Sequence, residues 1–204
     1  MADVVIYGLP QSSYLRTVRM ACREKGIDYV LEELAPHSPE LLAYNPTGKM
    51  PGFRHGDRVL WETSAITRYL DDSFSGNPLQ PEDIGERARM NLWISMINDV
   101  IYQVMIRDII LPRFGIVEAD DAKLAEAGEK LDKQLQLIEQ ELERTPYLAG
   151  ERLTLADLFL TPIIFWLEKT PEGGKLANYP ALTRWYGQMS ERPSFTATVP
   201  PMPG

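Results

Sequence analysis

Apolar residues are spaced in two manners along this chain. Before Ser75 the apolar runs are short and closed by turn residues, whereas after Pro81 they recur at helical spacing. Val4-Val5-Ile6-Tyr7 ends at Gly8 and Pro10 and predicts a buried strand. Leu15, Val18 and Cys22 recur at i, i+3 and i+7, with Arg16, Arg19, Arg23 and Lys25 between them. That spacing predicts a helix, and Gly26 is its stop. Tyr29 to Leu34 reads as a second strand. Ser38-Pro39-Glu40 reads as a helix start with Ser38 as N-cap, and Asn45-Pro46-Thr47-Gly48 ends that short helix. Gly52-Phe53-Arg54 and Arg58-Val59-Leu60-Trp61 flank His55-Gly56-Asp57 as a hairpin. Ser64 to Phe74 reads as a helix, with Ile66, Tyr69 and Leu70 on one face. The order strand, helix, strand, helix, strand, strand, helix describes a small α/β domain opened by a β-α-β unit.

Ser75 to Pro81 is a turn-rich linker, so the expected domains are 1–76 and 82–204. The second domain reads as an all-α bundle. Its helices are expected over Ile84 to Leu111, Ala122 to Arg144, Leu155 to Lys169 and Ala181 to Glu191. From Pro193 the last twelve residues hold four prolines, which predicts an extended tail.

Composition narrows the function. The chain has 204 residues, with 21 Lys and Arg against 29 Asp and Glu, for a net charge of −8. An acidic surface meets phosphates with the wrong field, which argues against nucleic acid and anionic membranes as partners. No stretch approaches the roughly 18 apolar residues of a membrane span. The single Cys22 excludes a disulfide within the chain and a paired-cysteine redox or zinc motif, and His37 and His55 are too few for a His-rich metal site. One thiol, with no basic and apolar leader at Met1 to Tyr7, predicts a reducing cytoplasmic setting.

Four segments could carry chemistry. Gly8-Leu9-Pro10-Gln11-Ser12-Ser13-Tyr14 joins the first strand to the first helix, where an α/β sheet places ligands against a helix N-terminus. A Ser hydroxyl there could donate to a bound thiolate and lower its pKa, or it could simply cap the helix. Asn45 to Pro51 could be a tight turn or, with a cis Met50-Pro51 bond, could present the Met50 backbone for strand-like pairing with a peptide. Glu62-Thr63 offers a carboxylate for an ammonium and donors for a carboxylate, as the head of an α-amino acid requires; the alternative is an N-cap Thr63 beside a solvated Glu62. Thr154 with Asp157, flanked by Leu153 and Leu158, is a capping box with a hydrophobic staple and reads as a folding signal.

In this order and spacing, together with Leu148-Ala149-Gly150, the four segments resemble the cytosolic glutathione transferases over nearly the whole chain. The serine-type phi, theta and delta classes are the most similar in style. The resemblance implies a thioredoxin-like N-terminal domain that binds glutathione and a helical C-terminal domain that helps bind a hydrophobic electrophile. It places Ser12 as the thiol-activating hydroxyl, with Ser13, Tyr14 and Tyr7 as competitors. It gives Met50 beside Pro51 to the cysteinyl backbone, Glu62 and Thr63 to the γ-glutamyl head, and Lys49 and His37 to the glycine carboxylate. Thr63 stands where Ser is commoner, which keeps the hydroxyl. It implies a homodimer and no metal.

The implied chemistry is attack by a glutathione thiolate on the electrophile, between the domains. The other readings are glutathione as cofactor in isomerisation, dehalogenation or peroxide reduction, and a non-catalytic binding protein. Tyr102, Ile106, Ile109 and Arg113 form one stripe on the long helix; Trp93, Ile97, Val100 and Val104 form another. One must pack the bundle and the other could line a pocket or an interface, with Phe165 and Trp166 equally ambiguous. Because glutathione is an anion, Lys49, Arg16 and Arg19 are expected to make a local positive patch. Cys22, on the apolar face, reads as a core residue.

Overall fold

A computed structural model describes residues 3–202. They group into two compact units: residues up to Gln80 with those from Glu191 onward, and residues Pro81–Ser190.

In the first unit the elements are β1 (Val4–Tyr7), α1 (Ser13–Lys25), β2 (Tyr29–Glu32), α2 (Pro39–Leu42), β3 (Gly52–His55), β4 (Arg58–Trp61) and α3 (Thr63–Ser73). This is the order that the hydrophobic pattern predicts, with boundaries moved by one or two residues. The sheet runs β2-β1-β3-β4, with β1 parallel to β2 and antiparallel to β3. Glu32, Tyr7, Gly52 and Trp61 stand in one row across it. The segments that follow β1, precede β3 and follow β4 therefore leave the sheet at the same end.

The central strand β1 is buried along its whole length, which is why it reads as a continuous apolar run rather than an alternating one. Helix α1 buries Leu15, Val18 and Cys22 and packs on α3. It ends at Gly26 (φ 69°), and the Ile27 amide reaches back to the Cys22 carbonyl in a Schellman turn. Burial pushes the Cys22 thiol up to about 12, so it is a core residue and stays protonated. The linker is not free: buried Asp71 pairs with Lys25 at 2.9 Å and accepts the amides of Leu79 and Gln80.

The expected extended tail is instead a short helix, α9 (Pro193–Thr196), packed on α1. Pro193 is compatible with a first helical turn. What holds the segment is Arg16, fully buried, whose guanidinium lies 4.2 Å from the Phe195 ring centroid and donates to the Phe195 carbonyl and Thr198 Oγ1. Arg192 donates to Glu24 at 2.7 and 2.8 Å, and Ser194 also bonds to Glu24. Burial pushes the Glu24 carboxyl up, but Arg192 and Ser194 outweigh it and hold it below its ordinary value. Such an acid stabilises above its unfolded pKa of about 4.3 and loses that contribution as pH falls through the lower folded value. Glu24→Gln is expected to cost about 1 kcal/mol at neutral pH. Amide exchange at Phe195 and Thr198, faster in the variant near pH 7 and converging with wild type in acid, checks this.

The second unit is helical. It comprises α4 (Ile84–Met96), α5 (Leu111–Arg113), α6 (Asp121–Leu142), α7 (Leu155–Glu168), a 3-10 segment over Pro171–Asn178 that the sequence pattern did not predict, and α8 (Pro180–Ser190). Between α4 and α5 the chain stays helical but widens to π geometry over Ile97–Ile101 and Gln103–Ile110. The wider turns shift the buried positions. Val100, on one of the two expected stripes, is 42% exposed, while Ile101, on neither, is buried. Ile106 and Ile109 of the other stripe are buried, as are Trp93, Ile97, Val104, Phe165 and Trp166. The Val100 carbonyl accepts the carboxamide of buried Gln134 at 3.1 Å.

Asp157 organises the loop and helices around it. Fully buried, it accepts from the Leu148 and Thr154 amides at 3.0 and 2.9 Å, from Thr154 Oγ1 at 3.2 Å and from Trp185 Nε1 at 3.0 Å. Burial pushes its carboxyl up, against the pull of these donors. Among the described residues, no helix is long and apolar enough to cross a membrane.

Candidate functional site

The end of the sheet marked by Tyr7, Gly52 and Trp61 gathers the candidate residues. Gly8 to Ser12 follow β1, Lys49 to Pro51 precede β3, and Glu62 and Thr63 follow β4. Ser12 caps α1: its Oγ accepts the Leu15 amide at 3.3 Å, with Ser12 itself in extended backbone. It is half-buried. The capping reading is thus correct, and it does not exclude chemistry. A hydroxyl that accepts one hydrogen bond keeps its own O–H to donate.

The competitors are placed differently. Ser13 is 5% exposed in the first helical turn. Tyr7 is buried and stacked on Tyr44 at 3.6 Å, and its hydroxyl accepts from Arg54 Nε at 3.1 Å. Burial, then the neighbouring Tyr44 hydroxyl, pushes the Tyr7 phenol up. Tyr14 is half-buried at the second helical position.

Asn45, which the sequence reading passed over as a turn residue, pins the next loop. Its carboxamide donates to the carbonyls of Lys49 (2.7 Å) and Pro51 (3.1 Å) and accepts the Thr47 amide (3.0 Å) and hydroxyl (2.8 Å). An Asn that accepts from the residue two positions on is an Asx turn, and the Asn-Pro-Thr-Gly run was its signal. The Met50-Pro51 bond is cis. The carbonyl of Gly48, at φ 67°, accepts the His37 amide at 2.8 Å; a Cβ on Gly48 would lie 2.4 Å from His37 Nδ1. His37 and Lys49 are both exposed beside this loop. Glu62, exposed and at φ 68°, precedes α3, whose first residue, Thr63, is 7% exposed.

The expected positive patch of Lys49, Arg16 and Arg19 does not form. Arg16 is buried against the tail, and Arg19 donates to the Tyr29 hydroxyl and the Thr198 carbonyl, so of the three expected cations only Lys49 stands exposed beside this site. Among the described residues, no group of three or more His, Cys, Asp or Glu side chains could hold a metal ion.

Residues 6–78 match the family model for the N-terminal domain of glutathione S-transferase, and residues 93–193 match the model for its C-terminal domain. Glutathione S-transferase 1 of Zea mays is 33% identical, with 95% of this chain and 94% of that protein aligned. The chain belongs to the glutathione S-transferase family. Among solved structures, glutathione transferase F7 from Populus trichocarpa superposes with a TM-score of 0.86 at 28% identity, covering 96% of this chain and 97% of that one. The theta-class glutathione S-transferase of Xanthomonas axonopodis pv. citri, solved with glutathione bound, superposes with a TM-score of 0.85 at 29% identity, covering 98% of both. Residues 6–78 thus belong to the thioredoxin-like domain of a glutathione S-transferase and residues 93–193 to its helical domain.

Proposed function

We propose that this glutathione transferase holds the sulfur of glutathione as a thiolate on the hydroxyl of Ser12 and directs it at a hydrophobic electrophile. The observation that carries the proposal is the cap: the Leu15 amide occupies an acceptor site of Ser12 Oγ. The O–H is then oriented and left over for the sulfur. A thiol with pKa near 8.5 is about 3% ionised at pH 7; lowering the pKa by about two units corresponds to roughly 2.7 kcal/mol. One charge-assisted hydrogen bond supplies about 1.5–3 kcal/mol, and the N-terminus of α1 adds its partial positive charge. The magnitudes therefore suffice without a metal or a separate base.

The remaining roles follow the layout. The Met50 backbone, in the loop that Asn45 pins, pairs with the cysteinyl residue in strand fashion. Glu62 holds the γ-glutamyl ammonium, and Thr63, at the start of α3, donates to its carboxylate. Lys49 and His37, adjacent on the exposed rim, take the glycine carboxylate. In the reaction the thiolate sulfur forms a bond to the electrophilic carbon, and the electron pair leaves with the departing group or opens the ring. A hydrophobic co-substrate, a homodimer and a cytoplasmic setting belong to this proposal and rest on the family resemblance.

Retention on immobilised glutathione, followed by assay against aryl halides, epoxides, hydroperoxides and isothiocyanates, tests it. Conjugation is the expected outcome; turnover without a conjugate would transfer the site to a cofactor role, and no retention would remove glutathione from it. Glu62→Ala is expected to weaken glutathione binding about tenfold, the worth of one charge-assisted contact at an exposed position. Titration calorimetry showing undiminished affinity would take Glu62 out of the site.

A further inference from the structure

We infer that Met50 is a positioning residue for the thiol-activating hydroxyl, acting through its side-chain sulfur rather than through the backbone proposed above to pair with glutathione. The Leu9 amide donates to Met50 Sδ at 3.0 Å. The Leu9 carbonyl in turn accepts the Ser12 amide at 3.1 Å. Leu9 is thereby gripped on both sides, through the peptide before it and the peptide after it, and the grip runs from Met50 through Leu9 to Ser12. The sulfur is itself held in place. Met50 is half-buried against the cluster of Val5, Tyr7 and Leu41. Its Cγ lies so near Gly8 that a Cβ there would stand 2.7 Å away, and Gly8 sits at φ 133°. The side chain therefore lies directly over the entry to the loop, with no room for another group between them.

A thioether is a weak acceptor, yet a half-buried amide has few alternatives. Leucine at position 50 would fill the volume and offer no acceptor. The loop would lose its anchor, and the Ser12 hydroxyl would be less well placed for the sulfur of glutathione. Glutamine would supply an oxygen at a similar reach. The inference rests on Ser12 as the activator, so its test includes a variant of that residue.

The experiment compares wild type, Met50→Leu, Met50→Gln and Ser12→Ala as full chains. It follows thiolate absorbance of the glutathione complex against pH, together with kcat and KM for an aryl halide. Met50→Leu is expected to move the thiolate midpoint upward and to lower kcat/KM at neutral pH about three- to tenfold, the factor that corresponds to one hydrogen bond. KM for glutathione is expected to change little, and Met50→Gln is expected to restore the midpoint. An unmoved midpoint in Met50→Leu, with a shifted one in Ser12→Ala, overturns the role of Met50 and leaves Ser12 standing. An unmoved midpoint in Ser12→Ala overturns the Ser12 reading and this inference with it. Equal shifts in the Leu and Gln variants would assign the effect to packing and overturn the acceptor role. If neither Met50 variant folds, amide exchange in wild type decides: the Leu9 amide is expected to be protected, and exchange at the rate of an open loop overturns the inference.

Discussion

Ser12→Ala is expected to lower kcat/KM at pH 7 by about 25-fold, the ratio of thiolate present at a pKa of about 6.5 to that at about 8.5. The variant also loses the α1 cap, which costs about 1 kcal/mol of stability. The two losses separate by pH. Above the pKa of the free thiol, ionisation needs no help, so the rate of the variant should approach that of wild type. A capping defect would leave a gap of constant size at every pH. Glutathione affinity should stay within a few-fold, because the contacts proposed for the Met50 backbone, Glu62 and Thr63 do not involve the hydroxyl. A pH–rate profile that superposes on wild type would reject Ser12 and return the question to Ser13 and Tyr14. Tyr7 is the weakest of the alternatives, since its side chain is buried at 1% exposure and stacked on Tyr44.

Asp157→Ala is expected to be the most destabilising single change, by about 3–5 kcal/mol. It strips the acceptor from the Leu148 and Thr154 amides and the Trp185 indole at once, all of them buried. A lone buried N–H costs about 1–3 kcal/mol, and relief from burying a carboxylate offsets part of the sum. For a chain of this size such a loss corresponds to a Tm lowered by roughly 10 °C or more. Asp157→Asn keeps one acceptor oxygen and should fall between. Thermal unfolding followed by tryptophan fluorescence measures both; a change of Tm within a degree or two would show that the four-donor cluster is not what holds α7, α8 and the Leu148 loop together. The capping box was legible from Thr154 and Asp157 because its partners are three residues apart. The Trp185 contact was not, because it closes over 28 residues.

The same distinction separates what was legible at the candidate site from what was not. The three segments announced themselves by local chemistry: a Ser before a helix, two prolines around a Gly, a carboxylate and hydroxyl before a helix. Each reports a constraint carried by neighbours in the chain. Whether Ser12 caps or activates could not be decided locally. The structure shows the cap, and the unused O–H of that same hydroxyl is what the proposed chemistry employs. The Asx turn of Asn45 was signalled by the Asn-Pro-Thr-Gly run, but its burial and its donation to the Lys49 and Pro51 carbonyls were not. The positive patch failed for a different reason. Arg16 and Arg19 lie on a helix that reads as solvent-facing between its apolar positions, until a segment some 180 residues away covers them.

Local order was therefore set by the amino-acid sequence alone: the strand runs, the caps at Ser12, Ser38 and Thr154, the stop at Gly26, and the split between a β-α opening and a helical remainder. These depend on steric limits and hydrogen bonds within a few residues, which any chain with that spacing must obey. The tertiary structure alone decided which cations are buried, where the tail lies, that the long helix widens and buries Ile101 but not Val100, and that Met50 grips the loop of Ser12. Those outcomes turn on burial and on contacts between segments far apart in the chain, whose free energy depends on what surrounds a group rather than on what precedes it.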